Sequence, residues 1–180
     1  MRPSPADRAS LELDLGAGAV ERAPGAIRAD LSRDVRPDIV LDATRILPFR
    51  TSSVRRVYCF DLVEHVEDVP ALLSEIHRVL EPGGTLLITT PHFSCANSYT
   101  DPTHRHHFAW RSFDYFSEGH QLAYYSSARF RTTRRVLRFH GGPLDAIVRR
   151  IANRWPEWYE HRLAWMFPAW YLEIEIEAVK

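Results

Sequence analysis

Glu75-Ile76-His77-Arg78-Val79-Leu80-Glu81-Pro82-Gly83-Gly84-Thr85-Leu86-Leu87-Ile88-Thr89-Thr90 reads as the end of an amphipathic helix, a proline-glycine stop and a strongly apolar strand in immediate succession. Working back, Asp68 is placed to cap a helix running to about Leu80. Leu72, Leu73, Ile76, Val79 and Leu80 recur at i, i+1, i+4, i+7 and i+8, which is one buried helical face. Further upstream, residues 11–15, 26–31, 38–42 and 56–60 read as short strands, the first running into Gly16-Ala17-Gly18. These strands are mostly apolar rather than alternating, as in a parallel sheet covered on both faces, and strands interleaved with a helix indicate an α/β fold. Downstream, residues 129–139 read as an arginine-rich strand. Pro143 opens a helix with Leu144, Ile147, Val148 and Ile151 on one face, and Pro156 opens another with Tyr159, Leu163, Met166 and Phe167, ended by Pro168. Residues 171–177 alternate strictly, which predicts an antiparallel strand near the sheet edge with one wet face.

With 180 residues, 45% of them hydrophobic and 26% charged, the chain is expected to form one domain over 1–180. Within it, 10–93 are assigned to ligand binding, 94–128 to a covering loop and helix, and 129–180 to C-terminal strands and a helical insertion. Cys59 and Cys95 are too few for a disulfide scaffold, and Cys59 sits in the apolar run Val57-Tyr58-Cys59-Phe60, where a small core residue belongs. No apolar stretch approaches a membrane span, and residues 1–8 lack the apolar centre of a signal peptide, so a cytoplasmic location is expected. The formal net charge is zero, which excludes a uniformly basic nucleic-acid binder. That zero divides into −3 over residues 1–100 and +3 over residues 101–180.

Open α/β sheets bind ligands beyond the carboxyl ends of their strands, and three signals fall there. The turn Asp14-Leu15-Gly16-Ala17-Gly18 lets backbone approach a ligand. Asp30 can accept hydrogen bonds from ribose hydroxyls, and Asp42-Ala43 can read an adenine amino group. With Leu47-Pro48-Phe49, Leu62-Val63-Glu64-His65-Val66 and the helix-stop-strand segment, these residues resemble the class I S-adenosylmethionine-dependent methyltransferases over about residues 10–93. The resemblance implies a Rossmann-like fold with a mostly parallel central sheet and an antiparallel C-terminal strand, methyl transfer, and S-adenosyl-L-methionine as cofactor. It implies that Asp14, Gly16 and Gly18 line the methionine end, that Asp30 and Leu31 hold the ribose, that Asp42 and Ala43 hold the adenine, and that Phe60 and Asp61 lie close to the sulfonium.

One departure stands out. The family normally has a full helix between the glycine turn and the second acidic strand, but here eleven residues separate Gly18 from Asp30, and they include Pro24-Gly25. Val20 also stands where a third glycine is usual. The segment is similar to a subset of the family with a shortened motif, in which the helix N-terminus that usually faces the cofactor carboxylate is lost. About ten residues precede the first strand, too few for the helix that often covers the substrate. Cover is therefore expected from the loop containing Tyr99-Thr100-Asp101-Pro102-Thr103-His104, anchored by Phe113 and Phe116.

Asp61, Glu64 and His65 lie at i, i+3 and i+4 just beyond the fourth strand. The block resembles that of ubiquinone-biosynthesis O-methyltransferases and of small-RNA terminal ribose 2′-O-methyltransferases. In both groups an acid-x-x-Glu-His segment binds a divalent cation, and in the second a later histidine completes the site. The resemblance implies a metal set of Asp61, Glu64, His65 and His106, with His104 the other candidate for the last place. Without a metal, a histidine would take the acceptor's proton; His92, directly after the fifth strand, is the first candidate, followed by His65 and His104. The expected activity is O-methylation of a small-molecule or glycan acceptor, neutral or anionic. The alternatives are metal-dependent RNA ribose 2′-O-methylation and a non-catalytic binding or scaffold role. Residues 129–154 hold eight arginines and one acid, read chiefly as solvated faces and alternatively as a site for an anionic acceptor, RNA or a membrane surface. Trp155, Trp158, Trp165 and Trp170 are expected to pack in the core or to form a homodimer contact.

Overall fold

The computed structural model describes residues 11–121 and 126–180; the expectations placed on residues 1–10, no signal sequence and no covering helix, lie outside them. Strands β1 (Leu11–Leu15), β2 (Ile27–Asp30), β3 (Ile39–Val40), β4 (Val54–Phe60), β5 (Leu80–Pro91), β6 (Arg129–Arg138) and β7 (Tyr171–Val179) form one sheet in the order β3-β2-β1-β4-β5-β7-β6. β3 to β5 pair in parallel through β2, β1 and β4, whereas β7 pairs antiparallel with both β5 and β6. The order reverses between β1 and β4, so the chain leaves these neighbours in opposite directions and a crevice opens at their carboxyl ends. Leu13, Leu15, Val57, Cys59, Leu86 and Ile88 are fully buried at the sheet centre.

Helix α1 (Val69–Val79) starts where Asp68 accepts a hydrogen bond from the Ala71 N–H at 2.8 Å, and buries Leu72, Leu73, Ile76 and Val79. Its Glu75 accepts from the Leu47 N–H at 2.8 Å, and its Arg78 donates to the carbonyls of Leu47 and Phe49 at 3.0 Å each. These bonds give the Leu47-Pro48-Phe49 segment and the helix end a shared physical role: they satisfy the backbone of the loop after β3.

Three elements differ from the sequence reading. Pro82-Gly83-Gly84 does not precede β5 but bulges within it, since the strand already begins at Leu80 and its pairing with β4 shifts between Val54 and Arg56. Helix α3 (Pro143–Arg154) buries Val148 and Ala152, but leaves Leu144 and Ile147 exposed. Helix α4 (Pro156–Arg162) stops at Arg162, where the Leu163 and Ala164 N–H groups both donate to the Tyr159 carbonyl; the Tyr159 hydroxyl donates to the Phe167 carbonyl at 2.8 Å, and Met166 is exposed. Tyr159 fills the core position, while Trp155, Trp158 and Trp165 stand exposed rather than packed in the core. A further short helix, α2 (Asn97–Thr100), follows β5. Among the described residues, no helix is long and apolar enough to cross a membrane.

The β6 arginines are largely neutralised across the sheet. Arg131 pairs with Glu177, Arg134 and Arg138 pair with Glu173, and Arg135 pairs with Asp114. The alternation of β7 therefore sets apolar residues inward and a ladder of glutamates against arginines outward.

Gly84 marks the tightest point of the bulge. A Cβ there would lie 2.9 Å from the Glu81 carbonyl oxygen and 3.0 Å from that of Arg55, both backbone atoms. Gly84→Ala should destabilise the fold by about 1–3 kcal/mol, read as a lower denaturation midpoint at unchanged slope; an unchanged midpoint would contradict this account of the bulge.

Candidate functional site

The crevice beyond β1 and β4 is a cavity of about 420 Å³ whose lining includes Gly16, Asp30, Leu31, Ala43, Asp61 and His65. Its floor is the turn after β1. The Gly16 N–H donates to the Ala29 carbonyl at 2.8 Å, and Gly16 and Gly18 adopt φ of 70° and 58°. A Cβ on Gly16 would press on Leu62 at 3.0 Å, so only glycine fits there without displacing that side chain. Asp30 braces the turn, accepting from the Gly18 N–H at 2.9 Å and the Ser32 N–H at 2.8 Å. Asp42 bonds the Thr44 N–H and hydroxyl and Arg45, so its carboxylate closes a local turn that presents Ala43 and Thr44 to the cavity. Leu31 is exposed at the rim.

Asp14 lies beneath this turn, fully buried, and neither carboxylate oxygen has a hydrogen-bond partner among the described residues. Burial pushes its pKa up to about 6 despite the cations of Arg22 and Arg28. A buried carboxylate left unpaired is costly, and a cation brought beside it would relieve that cost. Phe60 ends β4, and Asp61 directly after it is in left-handed conformation at φ 55°. Arg22 donates to Asp61 at 2.6 Å and to the Phe60 carbonyl at 2.8 Å, and its guanidinium lies 4.8 Å from the Phe60 ring centre. Asp61 is thus turned toward Arg22.

A second cluster adjoins the cavity. Glu64, His65 and His104 each bring one donor atom within 4.8 Å of the others. Glu64 is buried with both oxygens unpartnered, and burial, reinforced by the Asp61 charge, pushes its pKa up to about 7. The loop carrying His104 is held by the Glu64 carbonyl, which accepts from the Arg105 N–H at 2.8 Å, and by Asp101, which accepts from the Thr103 N–H at 2.8 Å. The ring geometry fixes tautomers. The Thr103 hydroxyl donates to Asp101 at 2.7 Å, so toward His65 Nδ1, 2.9 Å away, it can only accept. His104 Nδ1 lies 3.2 Å from the Ser98 carbonyl, which also only accepts. Both neutral imidazoles therefore carry the proton on Nδ1 and keep a lone pair on Nε2.

Two sequence-based assignments are corrected here. His92 is fully buried; its Nε2 is 2.9 Å from Glu160, its Nδ1 is 2.8 Å from the Ser94 hydroxyl, and Glu160 also accepts from the Trp110 N–H at 2.6 Å. Nε2 joins the end of β5 to Glu160 of α4 and Nδ1 is taken by Ser94, so His92 has no lone pair for an acceptor. Of the residues expected to hold a metal, Glu64 and His65 converge with His104 rather than with His106, whose Nε2 lies 3.3 Å from the Glu67 carbonyl, while Asp61 is paired with Arg22. Two residues escaped the sequence reading. Tyr171 begins β7, and burial, with the nearby Asp61 and Glu64 charges, pushes its pKa up to about 12. Arg22 is the other; a basic residue in the shortened segment was the available signal.

Comparison with known proteins agrees with this geometry. The model of a methyltransferase-domain family matches residues 9–88. No functionally curated protein matches the sequence. Among solved structures, a SAM-dependent methyltransferase from Archaeoglobus fulgidus is 17% identical with a TM-score of 0.59, over 93% of this chain and 86% of that one. A putative methyltransferase in complex with the Trm112 activator of Haloferax volcanii is 16% identical with a TM-score of 0.61, over 95% and 83% of the two chains. A phosphoethanolamine N-methyltransferase of Haemonchus contortus in complex with S-adenosyl-L-methionine is 17% identical with a TM-score of 0.55, over 95% of this chain and 48% of that one. The strand order and the glycine turn with its buried acid agree with the methyltransferase domain whose family model matches residues 9–88, just under half of the chain, and with the fold of these solved methyltransferases.

Proposed function

We propose that this methyltransferase transfers its methyl group to a hydroxyl of a small polar or glycan acceptor, bound beside Glu64, His65 and His104. The observation that carries this reading is the convergence of a buried, unpartnered carboxylate and two imidazoles at the edge of the cavity. Asp14, buried beneath the glycine turn, holds the cofactor ammonium, and in the cavity Asp30 holds the ribose hydroxyls and the turn around Ala43 the adenine. Gly16 and Gly18 leave room for the ligand along the backbone, Leu31 covers the rim, and Phe60 and Asp61 flank the reacting end.

In-line transfer needs alignment above all, and holding two reactants in place is worth about 7–11 kcal/mol. A hydroxyl acceptor must also lose a proton. The Nε2 lone pairs of His65 and His104 suit that task, since imidazole takes up protons near neutral pH. The same donor set fits a divalent cation: a buried carboxylate without a partner, and two imidazoles whose Nδ1–H groups are anchored on Thr103 and the Ser98 carbonyl. Bound there, such an ion would supply Lewis-acid polarisation of the acceptor hydroxyl. An RNA acceptor gains no support from the β6 arginines that face the β7 glutamates and Asp114.

Calorimetry with Mn²⁺ or Zn²⁺ should show one site in the wild-type protein that Glu64→Gln and His104→Ala abolish; equal uptake by the variants would remove the cation from this site. With labelled cofactor and a panel of polyols, catechols and oligosaccharides, the same variants should lose roughly 10²–10⁴-fold in methyl transfer, with S-adenosylhomocysteine affinity retained. Methylation confined to amines would overturn the O-methylation reading. The pKa of about 6 at Asp14 gives a pH dependence with a defined sign. The carboxylate must be ionised to hold an ammonium, so S-adenosylhomocysteine affinity should fall about tenfold from pH 7 to pH 5. Asp14→Asn should bind more weakly and flatten that profile; a wild-type profile already flat would exclude the role.

A further inference from the structure

The shortened segment between Gly18 and β2 removes the helix whose N-terminus usually faces the cofactor carboxylate, yet an amino-acid zwitterion still needs a counter-charge for that group. We propose that Arg22 is the residue that binds the carboxylate of S-adenosylmethionine, doing with a side chain what the missing helix would do with backbone N–H groups. The inference rests on the cofactor site described above.

The segment is held in place. Ala23 and Ala26 are buried in a small apolar cluster with Phe60, with Tyr58 and Leu87 packed against it. Gly25, at φ 86°, and a bond from the Ala26 N–H to the Ala23 carbonyl at 3.1 Å turn the chain back into β2. Arg22 therefore leaves a fixed backbone and reaches the carboxyl end of β4, where its 2.6 Å and 2.8 Å bonds to Asp61 and the Phe60 carbonyl hold the guanidinium. Those bonds use two of its five N–H groups, leaving others to form charge-assisted bonds to a carboxylate while the Asp61 pair stays intact. Asp14, which feels the charge of Arg22, supplies the opposite half. A buried acceptor without a partner and an anchored guanidinium at neighbouring strand ends complement an ammonium and a carboxylate on one carbon.

The test compares S-adenosylmethionine with its decarboxylated form, which keeps the adenosine, sulfonium and ammonium. Calorimetry on wild type, Arg22→Ala and Arg22→Lys, each checked for an unchanged circular dichroism spectrum, reads both affinities. Arg22→Ala should weaken S-adenosylmethionine roughly 10- to 100-fold and leave the decarboxylated form within about twofold, so that wild-type preference for the carboxylate disappears; Arg22→Lys should retain part of it. Equal weakening of both ligands would show that Arg22 only shapes the strand end through Phe60 and Asp61, and would overturn the proposal, as would no change. Wild-type protein that binds neither ligand would instead overturn the cofactor site itself.

Discussion

β1 and β4 lie side by side, parallel, and their continuations turn to opposite sides of the sheet. This single reversal creates the only kind of place where a parallel sheet can admit a polar ligand. Along the strands the backbone is spent on its neighbours; one face is packed against the core, while the other, against the expectation of a sheet covered on both sides, carries half-exposed polar contacts such as Arg56–Glu175 and Tyr58–Glu12. At the strand ends, the Gly16 and Ala17 N–H groups fold onto the Ala29 carbonyl, and the Asp61 N–H onto that of Thr89. The turns are thereby fixed before any ligand arrives. The cavity, the position of Asp30 and the projection of Asp61 and His65 all follow.

The site is costly to maintain. Asp14 and Glu64 are buried carboxyls without partners among the described residues, with pKa values near 6 and 7. An upward shift of about two units costs roughly 3 kcal/mol when the group is ionised. That cost is absent below the unfolded-state pKa, grows as pH rises and is complete above the folded-state value. The sheet can offset it. Each fully buried Leu, Val or Ile contributes about 1.5–3 kcal/mol, and the strands on either side of these acids are lined with such residues. Strain and desolvation are thus concentrated in Asp14, Asp61 and Glu64, at the strand ends where a ligand can relieve them.

Loop 101–107 shows how a short sequence signal becomes geometry. Asp101, Pro102 and Thr103 form a turn, the turn hands its hydroxyl to His65, and the loop backbone returns to the Glu64 carbonyl. Sequence spacing pointed to a later histidine beside Glu64 and His65 but left His104 and His106 open. The choice depends on how the loop closes, and closure is set by bonds to Ser98 and Glu64 rather than by any period. His92 is the converse. Its position after β5 suggested a reactive edge, but Glu160, contributed by α4, claims its ring. The face of α3 was misjudged for a similar reason: Val148 and Ala152 fit the surface offered by the rest of the chain, and Leu144 and Ile147 do not.

Local rules determined much by themselves. Alternation and apolar runs located the strands, a capping aspartate started α1, and glycines at strand ends marked where backbone must approach a ligand. These are properties of residues a few positions apart, so the chain carries them wherever it goes. The tertiary structure alone decided which histidine meets Glu64, that the β6 arginines face glutamates, and that Arg22 stands at the end of β4. Each of those depends on cross-strand register or loop closure between residues distant in sequence. No short-range pattern encodes such distances, because packing of the whole sheet sets them.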